Sequence, residues 1–141
     1  MAVSPPFRAD HVGSLLRPDS VKAARKQFHE DSSISASDLA AVEDAAIRDV
    51  IQMQEDVGLK AVTDGEFRRS WWHYDFIGAL SGYELEERDD GVQFAGVKLR
   101  PIFPVIRERL DFPADHPMLD HFRFVAANTS VFPKISIPGP S

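Results

Sequence analysis

The feature that most constrains the fold of this chain is a long helical pattern that runs directly into a short apolar segment ending in charge. Ser35 and Asp38 have the spacing of a capping box, and Gly58 is typical of the left-handed residue that ends a helix. Between them, apolar residues recur every three or four positions, which gives one apolar stripe. The stripe consists of Leu39, Val42, Ala46, Val50, Met53 and Val57. We therefore predict one amphipathic helix from about residue 35 to residue 57.

A short buried strand is predicted directly after this helix. Leu59–Thr63 is apolar, and Asp64–Arg69 then carries two acids and two arginines. A helix-to-strand connection of about two residues is normal in α/β units. α/β enzymes present their chemistry at the carboxyl ends of strands, so these charged residues are candidates for a functional site.

The other predicted elements come from periodicity and from turn residues. They are a first strand at His11–Leu16, helices at Pro18–Glu30, Ser70–Leu80 and Pro117–Asn128 (the last with Leu119, Phe122 and Val125 inward), a β-hairpin at Gly82–Pro104 that turns at Asp89–Gly91, and a third strand at Lys134–Ile137. Strands that alternate with helices imply parallel pairing through right-handed crossovers.

We therefore predict an α/β fold, a partial (β/α)8 TIM barrel of about the first three βα units. The domain would span residues 1–141, with the hairpin as an insertion at about 82–104. A whole barrel needs about 250 residues. Three parallel strands would leave sheet edges exposed, so we expect either a part of a longer protein or an oligomer.

Composition excludes several classes of function. A net charge of −6 argues against a nucleic-acid-binding protein. The absence of cysteine excludes a disulfide framework, a thiolate nucleophile and a Cys-based metal site in this chain. No apolar run is long enough for a membrane span, and residues 1–10 lack the apolar core of a signal peptide. We expect a cytoplasmic protein with no nucleic-acid or membrane partner.

Asp64 and Glu66 are the first candidates for chemistry. If the strand persists, residues two apart face the same side, and paired carboxylates bind an ammonium group, hold a metal or divide acid and base roles. The alternative is that Asp64 caps a helix that starts near Glu66, with Arg68 and Arg69 as solvated partners. Spacing alone leaves both interpretations open.

Histidines and aromatic residues supply the other candidates. His11 is either a ligand-binding residue or a hydrogen-bonded structural one. Ser14 either donates hydrogen bonds to a carboxylate or is part of a turn. His73 lies in an aromatic run with Trp72 that either stacks on a flat heterocycle such as a pterin or packs on protein. No tight spacing supports a metal site made from His11, His73 and the two acids.

Several segments, in this order along the chain, resemble the first part of the catalytic barrel of cobalamin-independent methionine synthases. The short, single-barrel bacterial and fungal relatives are the most similar. The match covers essentially the whole chain but about the first third of the family's barrel. The matching segments are Phe7–Pro18, Gln54–Leu59, Thr63–Arg69, Trp72–Phe76 and Pro133–Ser141.

The resemblance implies a (β/α)8 barrel that moves a methyl group from a 5-methyltetrahydrofolate to the thiol of homocysteine in methionine biosynthesis. Zinc holds that thiol as a thiolate, the competent nucleophile. The family's amino-acid-binding Ile-Gly-Ser corresponds to Val12–Ser14, and its His-Gly-Glu corresponds to Asp64–Glu66. Glu66 thus inherits the binding of the substrate ammonium group, and Asp64 is a departure from the family pattern.

The resemblance also implies what this chain lacks. The family's zinc ligands are His, Cys, Glu and Cys on later strands, and this chain has no Cys. We therefore expect no metal site and no complete methyltransferase site in this chain alone, with a thiol and a methyl-folate as partners of the intact enzyme. The predicted substrate-binding residues are His11, Val12, Gly13, Ser14, Arg17, Asp64, Glu66, Trp72 and His73.

Two alternatives stay open at this point. One keeps the barrel but changes the chemistry to alkyl transfer to another thiol, or to decarboxylation. The other is a non-catalytic protein that is stable only as a homo-oligomer or with a partner chain on its exposed sheet edge.

Overall fold

A computed structural model describes residues 9–88, 93–98 and 101–139, without the side chains of 93–94 and 97–98. The chain divides into two compact units. The first comprises the described residues up to Arg69 together with Asp120–Ser136, and the second comprises Ser70–Leu119 and the residues from Ile137. The elements are α1 (Asp19–His29), α2 (Ala36–Asp56), β1 (Ala61–Val62), α3 (Tyr74–Ile77), β2 (Ser81–Glu87), β3 (Gln93–Phe94), β4 (Val97–Lys98), β5 (Ile102–Asp111), α4 (Pro117–Asn128) and β6 (Phe132–Pro133).

Helix α2 confirms the predicted helix and its capping box. The Ser35 hydroxyl accepts a hydrogen bond from the Asp38 amide at 3.1 Å, and the Asp38 carboxylate accepts one from the Ser35 amide at 3.0 Å. Gly58 follows the helix with φ +87°, as expected for a left-handed terminal residue. The predicted stripe is wrong at its end, where Met53 and Val57 are exposed. The helix there turns its Gln54 face inward instead.

The core of the first unit joins the helices to a short parallel sheet. β1 pairs with β6, Ala61 opposite Phe132 and Val62 opposite Pro133. The sheet and helices enclose a cluster of apolar side chains, each worth about 1.5–3 kcal/mol when fully buried. The buried members are Val21, Ala46, Ile47, Val50, Ile51, Val62, Phe67 and Val125.

The third predicted strand is displaced. We predicted Lys134–Ile137, but the paired residues are Phe132 and Pro133. After Lys134 the backbone makes a hydrogen bond with a side chain instead of a neighbouring strand. The Ser136 carbonyl accepts this hydrogen bond from the Arg69 guanidinium. The alternating pattern of these residues therefore does not extend the sheet.

The predicted first strand at His11–Leu16 is also wrong, since this part of the chain has no strand pairing. The segment is held instead by separate bonds to the ends of the sheet. The Thr63 hydroxyl donates to the Gly13 carbonyl at 2.7 Å, and the Leu15 amide donates to the Gly65 carbonyl at 3.0 Å. Both partners, Thr63 and Gly65, lie beyond the end of β1 at Val62, so these hydrogen bonds do not add a strand to the sheet.

The second unit contains a long antiparallel hairpin. β2 pairs with β5 from Ser81 opposite Asp111 to Glu87 opposite Ile102, and β3 pairs with β4 in a smaller hairpin. The predicted excursion is confirmed, but it continues to residue 111 instead of 104. The predicted turn at residues 89–91 lies outside the described residues. Helix α3 covers only Tyr74–Ile77 of the predicted Ser70–Leu80.

Helix α4 begins and ends where predicted, at Pro117 and Asn128. Its inward side differs from the prediction. Val125 is buried as expected, but Phe122 is exposed and Leu119 is only half-buried, while Met118 is buried.

The described residues thus form a mixed α/β fold with one parallel strand pair, and no barrel sheet is present among them. Within the same part of the chain, no helix is both long and apolar enough to cross a membrane.

Candidate functional site

The turn after β1 is the centre of the candidate site. Gly65 and Glu66 both have left-handed backbone conformations, with φ of +65° and +59°. Left-handed residues end a strand, so the prediction that Asp64 and Glu66 extend from one strand face is wrong. Gly65 is required here for a second reason, since a Cβ atom would lie 2.7 Å from the Phe67 ring. We call residues 64–69 the acidic turn.

Asp64 is a structural residue of this turn. One carboxylate oxygen accepts a hydrogen bond from the Glu66 amide at 2.9 Å. Its other oxygen, Oδ2, is buried and has no hydrogen-bond partner within the described parts of the chain. Asp64 is only 3% exposed. Among the described residues no helix begins near Glu66, so the interpretation of Asp64 as a helix cap is wrong. Its side chain instead forms a turn with the backbone two residues later.

Glu66 lies close to the backbone of the N-terminal segment. A Cβ atom added to Gly13 would lie 3.3 Å from Glu66 Oε1 and would collide with the Ser136 hydroxyl. Glycine at position 13 therefore allows the carboxylate to approach closely. The Glu66 side chain is 12% exposed, and its carboxylate lies 3.6 Å from the Arg69 guanidinium. The structure thus brings together Gly13 and Glu66, two of the predicted substrate-binding residues, and adds Ser136 and Arg69.

The two arginines of the turn are not solvated partners, contrary to the alternative interpretation. Arg69 is 3% exposed and donates to the Ser136 carbonyl. Arg68 is largely buried, and its guanidinium pairs with Asp44 and, at 3.5 Å, with Glu43. Charges that are removed from water need such partners, because an unpaired buried charge is strongly destabilising.

Sequence reasoning missed the helix residues that pair with these arginines. Glu43 is buried, and it accepts a hydrogen bond from Arg25 at 2.9 Å. Arg25 also donates to the Arg68 carbonyl at 2.9 Å. The available signal was the position of Glu43 four residues after Leu39 and three before Ala46, inside the apolar stripe of α2.

His121 is a second missed residue. It lies on α4 at the i−4 position from the buried Val125, which was the available signal. Burial lowers the pKa of His121, and Arg68 and Arg69 lower it further, while Asp64 and Asp120 act in the opposite direction. Its Nδ1 atom is buried without a hydrogen-bond partner in the described chain.

His11 takes a structural place. Its Nε2 atom lies 2.8 Å from Gln54 Oε1. That oxygen also accepts from the Thr63 amide, while the Gln54 amide group donates to the Val50 and Thr63 carbonyls. Because an amide oxygen only accepts, Nε2 of His11 is the donor. The substrate-binding role of His11 stays a prediction.

The other predicted residues before α1 differ in their contacts and in their exposure to solvent. Arg17 donates to the carbonyl groups of the acidic turn, whereas Ser14 is exposed to solvent. Val12 is 84% exposed, and its carbonyl accepts a hydrogen bond from the Ser136 hydroxyl at 2.6 Å. Their predicted contacts with substrate stay predictions.

Trp72 and His73 belong to the second unit. They line a cleft of about 420 Å³, together with Ile77, Leu80, Tyr83, Leu110, Pro138 and Gly139. The His73 ring lies 4.4 Å from the Trp72 ring and 3.9 Å from the Tyr74 ring, measured between centroids. Trp72 is 64% exposed, so one aromatic face is available for stacking. Binding of a heterocycle in this cleft stays a prediction.

A zinc site does not fit these residues. The chain has no cysteine, and in its described parts no three His, Asp or Glu side chains are grouped so that they can hold a metal ion.

Comparison with known proteins finds similar chains among curated proteins and among solved structures, and no family model matches. Two Bacillus subtilis proteins without assigned function, YxjH and YxjG, are 43% and 41% identical over 96% and 97% of this chain. A crystal structure of a candidate vitamin-B12-independent methionine synthase from Listeria monocytogenes superposes with a TM-score of 0.75 and is 36% identical over 96% of the chain. The chain spans only 36% of each Bacillus protein and 37% of the Listeria protein. It is therefore similar, over nearly all of its own length, to about a third of each of these proteins.

Proposed function

We propose that this chain is part of a zinc-dependent methyltransferase barrel of the cobalamin-independent methionine synthase type. Within it, the site formed by Gly13 and Glu66 would bind the ammonium group of the amino-acid substrate. The observation that carries this proposal is the shielded Glu66 carboxylate beside the Gly13 backbone. The similarity to the Listeria protein supports it.

The chemistry of the site suits an ammonium ion. A carboxylate offers about four acceptor positions on its two oxygens, and the Arg69 contact at 3.6 Å occupies only part of that capacity. A side chain that is mostly shielded from water interacts more strongly with a cation than a solvated one does. The Glu66 carboxylate therefore favours a small cation that also fits against glycine.

The proposal assigns binding to this chain, and it does not assign the methyl transfer. Zinc in this type of enzyme activates the thiol, and the described residues include no group of side chains that fits a zinc site. The residues of the acidic turn would bind and orient the amino-acid end of homocysteine, and of the methionine product, by charge and shape alone.

Calorimetric titration with L-methionine tests this role. We expect Glu66→Gln to weaken binding at least about tenfold, because it removes the charge that pairs with the ammonium group. Glu30→Gln, the same chemical change at an exposed position after α1, is the matched control. It should leave the dissociation constant unchanged.

The second ligand is 4-(methylthio)butanoate, which is methionine without its amino group. Its affinity should not depend on Glu66. If Glu66→Gln weakens both ligands equally, or weakens neither, Glu66 does not bind the ammonium group. A native chain that does not bind L-methionine would also count against the proposal.

A further inference from the structure

The Arg17 guanidinium donates hydrogen bonds to three backbone carbonyls of the acidic turn. Its Nε atom donates to the Phe67 carbonyl at 3.1 Å, and its Nη2 atom donates to the Glu66 carbonyl at 2.9 Å. Nη2 also donates to the carbonyl of Arg69. A guanidinium group presents five donors in a rigid planar fork, so it can hold several acceptors in one fixed arrangement.

The backbone of Glu66 is the part of the turn that needs this support. With φ at +59°, Glu66 occupies a conformation that residues with a Cβ atom adopt only at a cost in free energy. Such a conformation persists when the surroundings hold it. The Glu66 amide donates to Asp64, and the Glu66 carbonyl accepts from both Arg17 and the Arg69 amide.

The conformation of Glu66 determines where its carboxylate lies. In the left-handed conformation the side chain lies beside Gly13, with Oε1 3.3 Å from the position that a Cβ atom on Gly13 would take. If the residue returned to an ordinary backbone conformation, the direction of its Cα–Cβ bond would change and the carboxylate would leave this position. The contacts of Arg17 with the turn therefore control the geometry of the proposed binding group.

We propose that Arg17 is a positioning residue for Glu66 and not a residue that contacts substrate. Its guanidinium group holds the acidic turn in the conformation that directs the Glu66 carboxylate toward Gly13. The consequence for ligand binding rests on the proposed function of Glu66. The positioning itself is a property of the turn, and it can be measured without a ligand.

Amide hydrogen exchange of Arg17→Lys tests the positioning. Lysine keeps the charge and length but loses the planar fork, so the turn should open more often. We expect the Phe67 and Arg69 amides to exchange at least about tenfold faster, in line with the loss of one or two hydrogen bonds. The amides of Ile47 and Val50, in the core of α2, serve as the internal control and should exchange as in the native chain. Equal acceleration in the turn and in α2, or none in the turn, would overturn the proposal.

A measurement on the native chain covers the case in which the variant does not fold. The Nε–H proton of Arg17 should be protected from exchange, because it donates to the Phe67 carbonyl. Arg123, whose side chain is 68% exposed, provides the reference for an accessible guanidinium group. Equal exchange of the two Nε–H protons would contradict the contact on which the proposal depends.

Titration with L-methionine links the positioning to binding. Arg17→Lys should weaken the binding of L-methionine and leave that of 4-(methylthio)butanoate unchanged, the same pattern that we expect of Glu66→Gln. If Glu66→Gln has no effect but Arg17→Lys still accelerates exchange in the turn, the proposed function fails and the positioning role stands. If Glu66→Gln weakens L-methionine and Arg17→Lys changes neither exchange nor affinity, the positioning role fails alone.

Discussion

Both units contain an arginine that pairs with two carboxylates, but the arginine is largely buried in the first unit and exposed in the second. In the acidic turn of the first unit, Arg68 pairs with Glu43 and Asp44 while its side chain is only 12% exposed. In the hairpin of the second unit, Arg107 pairs with Glu84 and Glu86 while its side chain is 53% exposed. A buried charge depends on its partners, whereas an exposed charge keeps its water when a partner is removed. Arginines with equivalent partners therefore contribute differently to the free energy of unfolding, because they differ in burial.

Removal of Arg68 should have the largest effect on stability. We expect Arg68→Ala to destabilise the first unit by about 3–5 kcal/mol, because it leaves the Glu43 carboxylate buried with one partner fewer. Amide exchange of α2, measured at increasing urea concentrations, gives this loss within the first unit.

Arg107→Ala is the matched control in the hairpin. Its ion pairs are exposed, so we expect a loss of about 0–1 kcal/mol. Equal losses from the two variants would show that burial does not separate the two sets of ion pairs.

Glycine replacements test whether the two units also differ in how crowded their turns are. Gly65 and Gly96 both have positive φ, but a Cβ atom on Gly65 would meet the Phe67 ring, and one on Gly96 would meet nothing within 4 Å. Both alanine variants carry a backbone cost of about 1–2 kcal/mol. We expect Gly65→Ala to cost about 1–3 kcal/mol more because of overpacking. Thermal unfolding of the two variants measures the difference, and a cost no larger for Gly65→Ala would contradict the contact with Phe67.

The smallest expected effect is a dependence on pH from His121. Its pKa in the folded chain lies below the ordinary value of 6.5, chiefly because of burial. The unfolded chain therefore binds a proton at higher pH than the folded chain does. Stability should fall as the pH decreases through 6.5 toward the folded pKa and then level off.

His121→Gln should reduce this loss on acidification. Unfolding midpoints of the native chain and the variant between about pH 8 and pH 5 measure it, a window that brackets the ordinary histidine pKa. The groups that act on His121 are Arg68, Arg69, Asp64 and Asp120. The same pH profile in both proteins would show that another group causes the loss.

Local signals in the sequence were sufficient for the elements whose stability is local. The capping box at Ser35, the left-handed Gly58 and the bounds of α4 were predicted from neighbouring residues and are present. The glycine at position 13 and the acid at position 66 were also identified as candidates from the sequence, and the structure brings them together. The first features depend on residues within a few positions of one another, and the last two belong to motifs that the chain carries with a single change in each.

Long-range contacts decided the rest. His11–Leu16 is predicted as a strand but does not pair, because its bonds are to Thr63 and Gly65, beyond the end of β1 at Val62. Arg17 and Arg68 were candidates from the sequence, but their contacts lie 49 to 52 and 24 residues away along the chain and were not predicted. The sequence by itself determined helices α1, α2 and α4, the capping box of α2 and the candidate carboxylate. Only the tertiary structure decided which charges are buried and which backbone they hold, because desolvation and partner geometry are properties of packing and not of spacing.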